Sequence, residues 1–122
     1  MKSGQLWIVQ MAETIASKIA RQIDAWPNKD KRHPGDQWIR STDSIGANLV
    51  EGYGRKHVND SLRFYAIAQG SLEESLYWLR KARERKLISP MTASEISGLL
   101  IRLSRAIEVF ISTKKVNRLS GG

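Results

Sequence analysis

The chain has 122 residues, enough for one domain over residues 1–122 and too few for two domains with cores of their own. It is 41% apolar and 26% charged, and it contains no apolar run of about 18 residues. These features exclude a collagen-like or low-complexity chain and a membrane span, so we expect no membrane partner. The amino-terminal segment is amphipathic and does not resemble a signal peptide, which favours a cytoplasmic protein.

The charge balance indicates the kind of partner. Twenty Lys and Arg against 12 Asp and Glu give a net charge of +8, which favours a polyanion. The absence of cysteine excludes disulfides and thiolate metal sites. The two histidines, His33 and His57, lie 24 residues apart and do not form a metal-binding motif. We therefore expect no metal and no cofactor.

Apolar residues recur at steps of three and four along almost the whole chain, which predicts an all-α protein. The first helix is expected to begin after Ser3, its N-cap, and to end before Pro27. Residues 27–35 have no periodicity and contain two prolines and several cations, so they predict an exposed basic loop. The apolar stripe of the first helix consists of Ile8, Ala12, Ile15, Ile19, Ile23 and Trp26.

Three more helices follow. The second is predicted from Asp36 to the glycines at 52 and 54, and its small central residues would let a neighbouring helix approach closely. The third is predicted from residue 59 or 60 to about 86. The fourth opens at Thr92, which forms a capping-box pattern with Glu95, and frays into a basic tail from about residue 113. Short connections between four such helices predict an antiparallel four-helix bundle.

The third helix carries two apolar stripes about 120° apart. Because a bundle helix contacts two neighbours, both stripes could be core. The alternative places the large aromatics of the second stripe in an interface between subunits, where such residues are enriched. The first stripe is Leu62, Tyr65, Leu72, Leu76 and Leu79, and the second is Phe64, Ile67, Ser71 and Trp78.

The densest basic cluster covers residues 80–86, with five cations and one acid. Cations at a helix end also complement the helix dipole, and Arg83 falls on the core stripe, so a purely structural role is the alternative. No base-reading motif is present, which favours contacts to the backbone of RNA or DNA without base readout; an interaction scaffold is the competing class. The predicted nucleic-acid-binding residues are Arg55, Lys56, Arg63, Arg80, Lys81, Arg83, Arg85 and Lys86.

No pattern indicates catalysis. The Gly52-Tyr53-Gly54 stretch lacks the third glycine of a dinucleotide-binding loop, because position 57 is His57. Adjacent acids at Glu73 and Glu74 point about 100° apart on a helix and cannot share a substrate atom. We therefore expect a protein that is not an enzyme.

A motif runs from Ser44-Ile-Gly-Ala-Asn-Leu-Val-Glu-Gly-Tyr-Gly-Arg55 through Arg63-Phe64 to Ala68-Gln-Gly-Ser-Leu-Glu-Glu74. It resembles the four-helix-bundle family encoded in intervening sequences of bacterial 23S ribosomal RNA. Relatives include the accessory variability determinants of diversity-generating retroelements. The resemblance implies a subunit that assembles into a ring, typically a homopentamer, with a basic surface and no catalysis. For the retroelement relatives it implies binding to nucleic acid and to a reverse transcriptase.

The motif residues are interpreted as structural first. Asn48 and Glu51 are expected to bond helix ends or each other within the bundle. Two nearby glycines would permit a tight turn, and a mid-helix glycine at position 70 predicts close approach of another helix. Ser71 and Glu74 also have capping-box spacing, which would break the helix there. The motif set is Asn48, Glu51, Gly52, Gly54, Gly70, Ser71 and Glu74; Arg55 is as consistent with binding as with structure.

Overall fold

The computed structural model describes residues 3–119 and shows no strand among them. The all-α prediction is confirmed, and the second and third helices lie within two residues of their predicted bounds. No helix in the described part of the chain is long and apolar enough to cross a bilayer. The four long helices are α1 (Ser3–Asp24), α2 (Asp36–Tyr53), α3 (Val58–Glu84) and α4 (Pro90–Leu119).

Each helix packs on its neighbours in sequence, and α4 packs back on α1, which closes the bundle. Helices α2 and α3 run in opposite directions. Gly52 at the end of α2 lies against Tyr65 near the start of α3, whereas Thr42 of α2 is bonded to Ser75 in the second half of α3. The four-helix bundle is therefore antiparallel, as short connections between helices of this length dictate.

The core follows the predicted apolar stripes. Every member of the α1 stripe is buried, and Trp26 at its end stacks on Trp38 of α2 with ring centroids 5.9 Å apart. Burying one such aliphatic or aromatic side chain stabilises the fold by about 1.5–3 kcal/mol. On α3 the first stripe supplies the core, through Tyr65, Leu72 and Leu79.

A polar network lies inside the core between α2 and α3. The fully buried Ser75 hydroxyl accepts a hydrogen bond from Trp38 Nε1 at 3.0 Å and shares one with Thr42 Oγ1 at 2.8 Å. Thr42 also lies 2.8 Å from the Trp38 carbonyl, to which its hydroxyl donates. The network satisfies polar groups that would otherwise be costly to bury.

The connection between α1 and α2 is more ordered than an exposed loop. It forms one helical turn at Asn28–Asp30 and a wide turn at Lys31–Gly35. The prediction of an exposed loop is wrong at Pro34 and Gly35, which are buried. A Cβ on Gly35 would lie 2.9 Å from Ile23 Cγ2, so the chain packs directly on α1 at this point. We call residues 27–35 the connecting segment.

Both predicted ends of the fourth helix need correction. Ser89 caps it, because Ser89 Oγ accepts the Thr92 N–H at 3.1 Å and Pro90 occupies the first helical position. The capping box is wrong, since Glu95 instead forms an ion pair with Lys18 of α1. The helix also continues to Leu119, beyond the residue where fraying was expected. The rest of the expected basic tail, residues 120–122, lies outside the described residues.

The glycines of the motif have different environments from those expected. Gly52 is required by close approach of α3, because a Cβ there would collide with the Tyr65 ring. Gly54 has a φ of −75°, which every residue type adopts, so the turn does not require glycine. A Cβ on Gly70 would meet no neighbouring element within 4 Å, so the predicted close approach at Gly70 is wrong within the described chain.

Candidate nucleic-acid interface

Two basic segments that are far apart in the sequence meet at one end of the bundle. The His33 ring of the connecting segment lies edge-on to the Trp78 ring of α3, with centroids 5.5 Å apart. This contact places the connecting segment at the end of the bundle where α3 ends, so the cations of both lie at that end. We call this group the basic end; its cations are Lys29, Lys31, Arg32, Arg80, Lys81, Arg83, Arg85 and Lys86.

Few of these cations are neutralised by acids. Within residues 3–119, the ion pair at the basic end joins Lys81 Nζ to Glu84 at 3.5 Å. The Arg80 and Arg83 guanidiniums have no carboxylate within ion-pair distance in that range, and neither do those of Arg85 and Arg32. The cations therefore present positive charge to solvent, where an exposed phosphate could bind.

The last two cations, Arg85 and Lys86, lie in the turn that follows α3. Lys86 adopts a left-handed backbone conformation with φ of 59°. The next amide, of Leu87, donates to the Ala82 carbonyl at 2.9 Å, and the Lys86 amide donates to the Arg83 carbonyl at 3.0 Å. This pattern satisfies carbonyls at the helix end without using the side chains of Arg85 and Lys86. Both side chains are exposed.

A groove between α3 and α4 opens at the same end. It has a volume of about 390 Å³ and is lined by Arg80 and Arg83, with the hydroxyl residues Ser94 and Ser97 on its opposite wall. The sequence pattern predicted Arg83 at the edge of the core, but the residue is exposed and borders this groove. Arginines and hydroxyl residues that line one groove could together bind an anion such as a phosphate.

The other predicted binding residues lie far from the basic end. The guanidinium carbons of Arg55 and Arg63 lie 4.5 Å and 4.6 Å from the centroid of the Phe64 ring, and Lys56 is exposed beside them. The 17 residues from Arg63 to Arg80 span about 25 Å of helix. The eight predicted residues thus form two groups, the basic end and a second cluster of Arg55, Lys56 and Arg63.

The polar motif residues bond α2 to α3 and to the helix end. Asn48 Nδ2 donates to the Ser44 carbonyl at 2.8 Å and to its hydroxyl at 2.9 Å, and that hydroxyl is 2.8 Å from Ser71 Oγ. Asn48 therefore bonds within α2 and, through Ser44, is linked to α3; contrary to the expectation, within residues 3–119 it bonds neither a helix end nor Glu51. Glu51 does not bond Asn48; it is exposed and binds Arg55 at 2.9 Å.

The remaining motif and aromatic residues of α3 are packed within their own chain. Helix α3 is continuous through Ser71 and Glu74, so the alternative helix break is wrong. The Glu74 carboxylate accepts from Trp78 Nε1 at 3.4 Å. Phe64 and Trp78 are half-buried against neighbouring side chains, and their predicted contact with another subunit stays a prediction.

Sequence reasoning missed the aromatic environment of the basic end. The Tyr77 ring is 40% exposed, and the Arg80 guanidinium and Lys81 ammonium lie 5.4 Å and 5.5 Å from its centroid. The positions of Arg80 and Lys81 three and four residues beyond Tyr77 were the signal that could have found this arrangement. In residues 3–119, no cluster of three His, Asp or Glu is suited to hold a metal ion.

These features define a class: an antiparallel four-helix bundle with cations exposed at one end and a second cationic cluster near the other. The chain belongs to the 23S rRNA-intervening sequence protein family, whose model matches residues 4–109. Its fold is similar to the 1.70 Å crystal structure of a protein of unknown function from the S23 ribosomal protein family of Bacteroides thetaiotaomicron. That similarity has a TM-score of 0.82 at 21% identity and covers 89% of this chain and 98% of that chain. No curated protein matches the chain.

Proposed function

We propose that this protein is a non-catalytic binder of RNA or DNA that contacts backbone phosphates through the basic end. The observation that supports the proposal most directly is the convergence of the connecting segment and the end of α3. It concentrates eight cations, of which Lys81 alone is in an ion pair within residues 3–119. Such a concentration of free positive charge attracts polyanions and orients them before contact.

The absence of a base-reading element supports backbone contacts over sequence recognition. The cations extend from a helix end, a turn and the connecting segment, so within residues 3–119 they do not line one helix that could enter a major groove. Phosphate contacts by Lys and Arg position a protein on nucleic acid and carry little sequence information. We therefore expect binding to depend on salt far more than on sequence.

A salt titration tests the proposal. The variant R80Q/K81Q/R85Q/K86Q removes four cations of the basic end, and its control R102Q/R105Q/K114Q/K115Q removes four from α4, so both fall from a net charge of +8 to +4. Each lost phosphate contact should reduce the slope of log K against log salt by about 0.9 on duplex DNA or about 0.7 on a single strand. We expect the first variant to bind more weakly and with a flatter slope than the control.

Two results would contradict the proposal. Absence of binding by the unmodified protein near 150 mM salt, roughly physiological ionic strength, would remove the nucleic-acid function altogether. Equal weakening in the two variants would show that total charge matters and that the basic end is not the site.

We also propose that the chain forms homo-oligomers, as the resemblance to ring-forming relatives implies. Val109 and Val116 are 66% and 59% exposed and lie seven residues apart on one face of α4, where another subunit could cover them. Light scattering should then give a multiple of 13.8 kDa, five-fold for a pentamer. A reverse transcriptase partner is the corresponding proposal for a retroelement role, and co-purification with a polymerase encoded nearby would support it.

A further inference from the structure

Three aromatic rings form a continuous row at the basic end. The Tyr77 and Trp78 rings meet edge to face with centroids 4.9 Å apart and an interplanar angle of 83°. Trp78 in turn meets His33 edge to face at 5.5 Å and 81°. Trp78, the middle ring of the row, is half-buried, whereas His33 and Tyr77 at its two ends are exposed. The middle ring therefore supports the two end rings. The row therefore joins α3 to the connecting segment.

Two cations lie over the Tyr77 ring at one end of this row. Arg80 and Lys81 are within 5.5 Å of the Tyr77 centroid, and the ring is 40% exposed to solvent. A large aromatic side chain gains free energy when it is buried, so a ring held at the surface by Trp78 presents area that a ligand can cover. The flanking charges select for an anionic ligand.

We propose that Tyr77 is a stacking platform for an unpaired nucleobase. The base takes the place of the Arg80 and Lys81 side chains over the ring, and these two cations move to the phosphates that flank the base. The ligand class is single-stranded nucleic acid, because the faces of bases inside a duplex are covered by their neighbours. Aromatic rings interleaved with cations are the common design of surfaces that bind single strands, and they tolerate any sequence because every base has a π face. This inference rests on the proposed function and specifies its substrate.

The test compares three ligands of equal phosphate number: a single-stranded oligonucleotide, the same strand with abasic positions, and a duplex. The unmodified protein should bind the base-containing strand more tightly than the abasic strand. Tyr77→Leu should weaken binding to the base-containing strand roughly five- to 150-fold, the range for loss of one stacked base. Tyr77→Phe keeps the ring and should retain the affinity, and Trp7→Leu, which removes a 53% exposed ring from the opposite end of the bundle, is the matched control.

Comparing the three ligands distinguishes base stacking on Tyr77 from an indirect effect of Tyr77 on the neighbouring cations. If Tyr77 acted only by holding Arg80 and Lys81 in place, Tyr77→Leu would weaken binding to the abasic strand and the duplex by the same factor, and the inference would be overturned. Equal affinity of the unmodified protein for base-containing and abasic strands would also overturn it, while leaving the phosphate-binding function intact. Failure to bind any of the three ligands would instead contradict the proposed function itself.

Discussion

Gly52 of α2 lies so close to Tyr65 of α3 that a side-chain carbon on Gly52 would come within 2.5 Å of Tyr65 Cε1 and 2.8 Å of Tyr65 Cδ1. The same carbon would lie 3.1 Å from the Ser61 carbonyl oxygen. Tyr65 is 1% exposed and its ring packs edge-on to Phe110 of α4 at 5.6 Å, so it has little room to move away. The Tyr65 ring therefore packs directly against the backbone of α2.

The Gly52 contact predicts a specific sensitivity to added volume. Gly52→Ala should lower the free energy of unfolding by about 1–3 kcal/mol, the usual cost of overpacking a filled core. Gly70→Ala is the matched control, because Gly70 sits mid-helix with open space around it. It should raise the free energy of unfolding by about 0.5–1 kcal/mol through helix propensity alone. Urea denaturation of both variants measures the difference; a loss of the same size in both would mean that Tyr65 is not the cause.

The buried Ser75 hydroxyl predicts a second stability effect. Ser75→Ala leaves Trp38 Nε1 without its acceptor in a dry core, which should cost about 1–3 kcal/mol. Ser94→Ala, at an exposed position of α4, should change the free energy of unfolding by less than about 0.5 kcal/mol. Trp fluorescence during denaturation follows both transitions. An unchanged midpoint for Ser75→Ala would show that the indole finds another acceptor.

The environment of Tyr65 predicts a pH dependence at the alkaline end. Burial, with a smaller contribution from Tyr53, raises the pKa of the Tyr65 phenol above its ordinary 10.0. Between the unfolded and folded pKa values the unfolded chain has lost the Tyr65 proton and the folded chain has kept it, so stability falls as pH rises above 10.0. Below 10.0 the contribution of this group is fully present.

Tyr65→Phe removes this ionisation, so its free energy of unfolding should fall less steeply above pH 10.0 than that of the unmodified protein. Tyr77→Phe, at an exposed position, is the matched control substitution. Parallel curves for Tyr65→Phe and the unmodified chain would contradict the prediction.

The helical framework was predictable because apolar spacing records which side of each helix is buried. The stripe from Ile8 to Trp26 marked the core face of α1, and Pro27 and the glycines near residue 54 marked the ends of helices. The first residue of α4 could not be predicted from the sequence alone, since Ser89-Pro90 and Thr92 with Glu95 are both valid start signals for a helix. Packing decides between these two start signals, because Lys18 of α1 forms an ion pair with the Glu95 carboxylate and Ser89 caps the helix.

The sequence predicted which residue types form the candidate site, but it did not predict which distant segments the fold brings together there. The cluster at residues 80–86 is visible in the sequence, but its proximity to Lys29 and Arg32 depends on how α1, α2 and α3 pack around Trp78. Hydrophobic periodicity also ignores hydroxyl groups, and so it missed the buried partner of Trp38. Periodicity did not indicate Tyr77 either, because a single exposed aromatic residue forms no repeating pattern in the sequence.

The antiparallel order has a practical consequence for attaching other molecules to this protein. Gln5 near the start of α1 and Phe110 late in α4 border the same small cavity, so the Ser3 end of α1 and the Leu119 end of α4 are at the same end of the bundle. The basic end is at the far side of the bundle, about 30 Å away along helices of this length. A fluorophore or immobilisation handle placed beside residue 3 or 119 would leave the cationic surface facing outward, and the two positions would report proximity to each other by energy transfer.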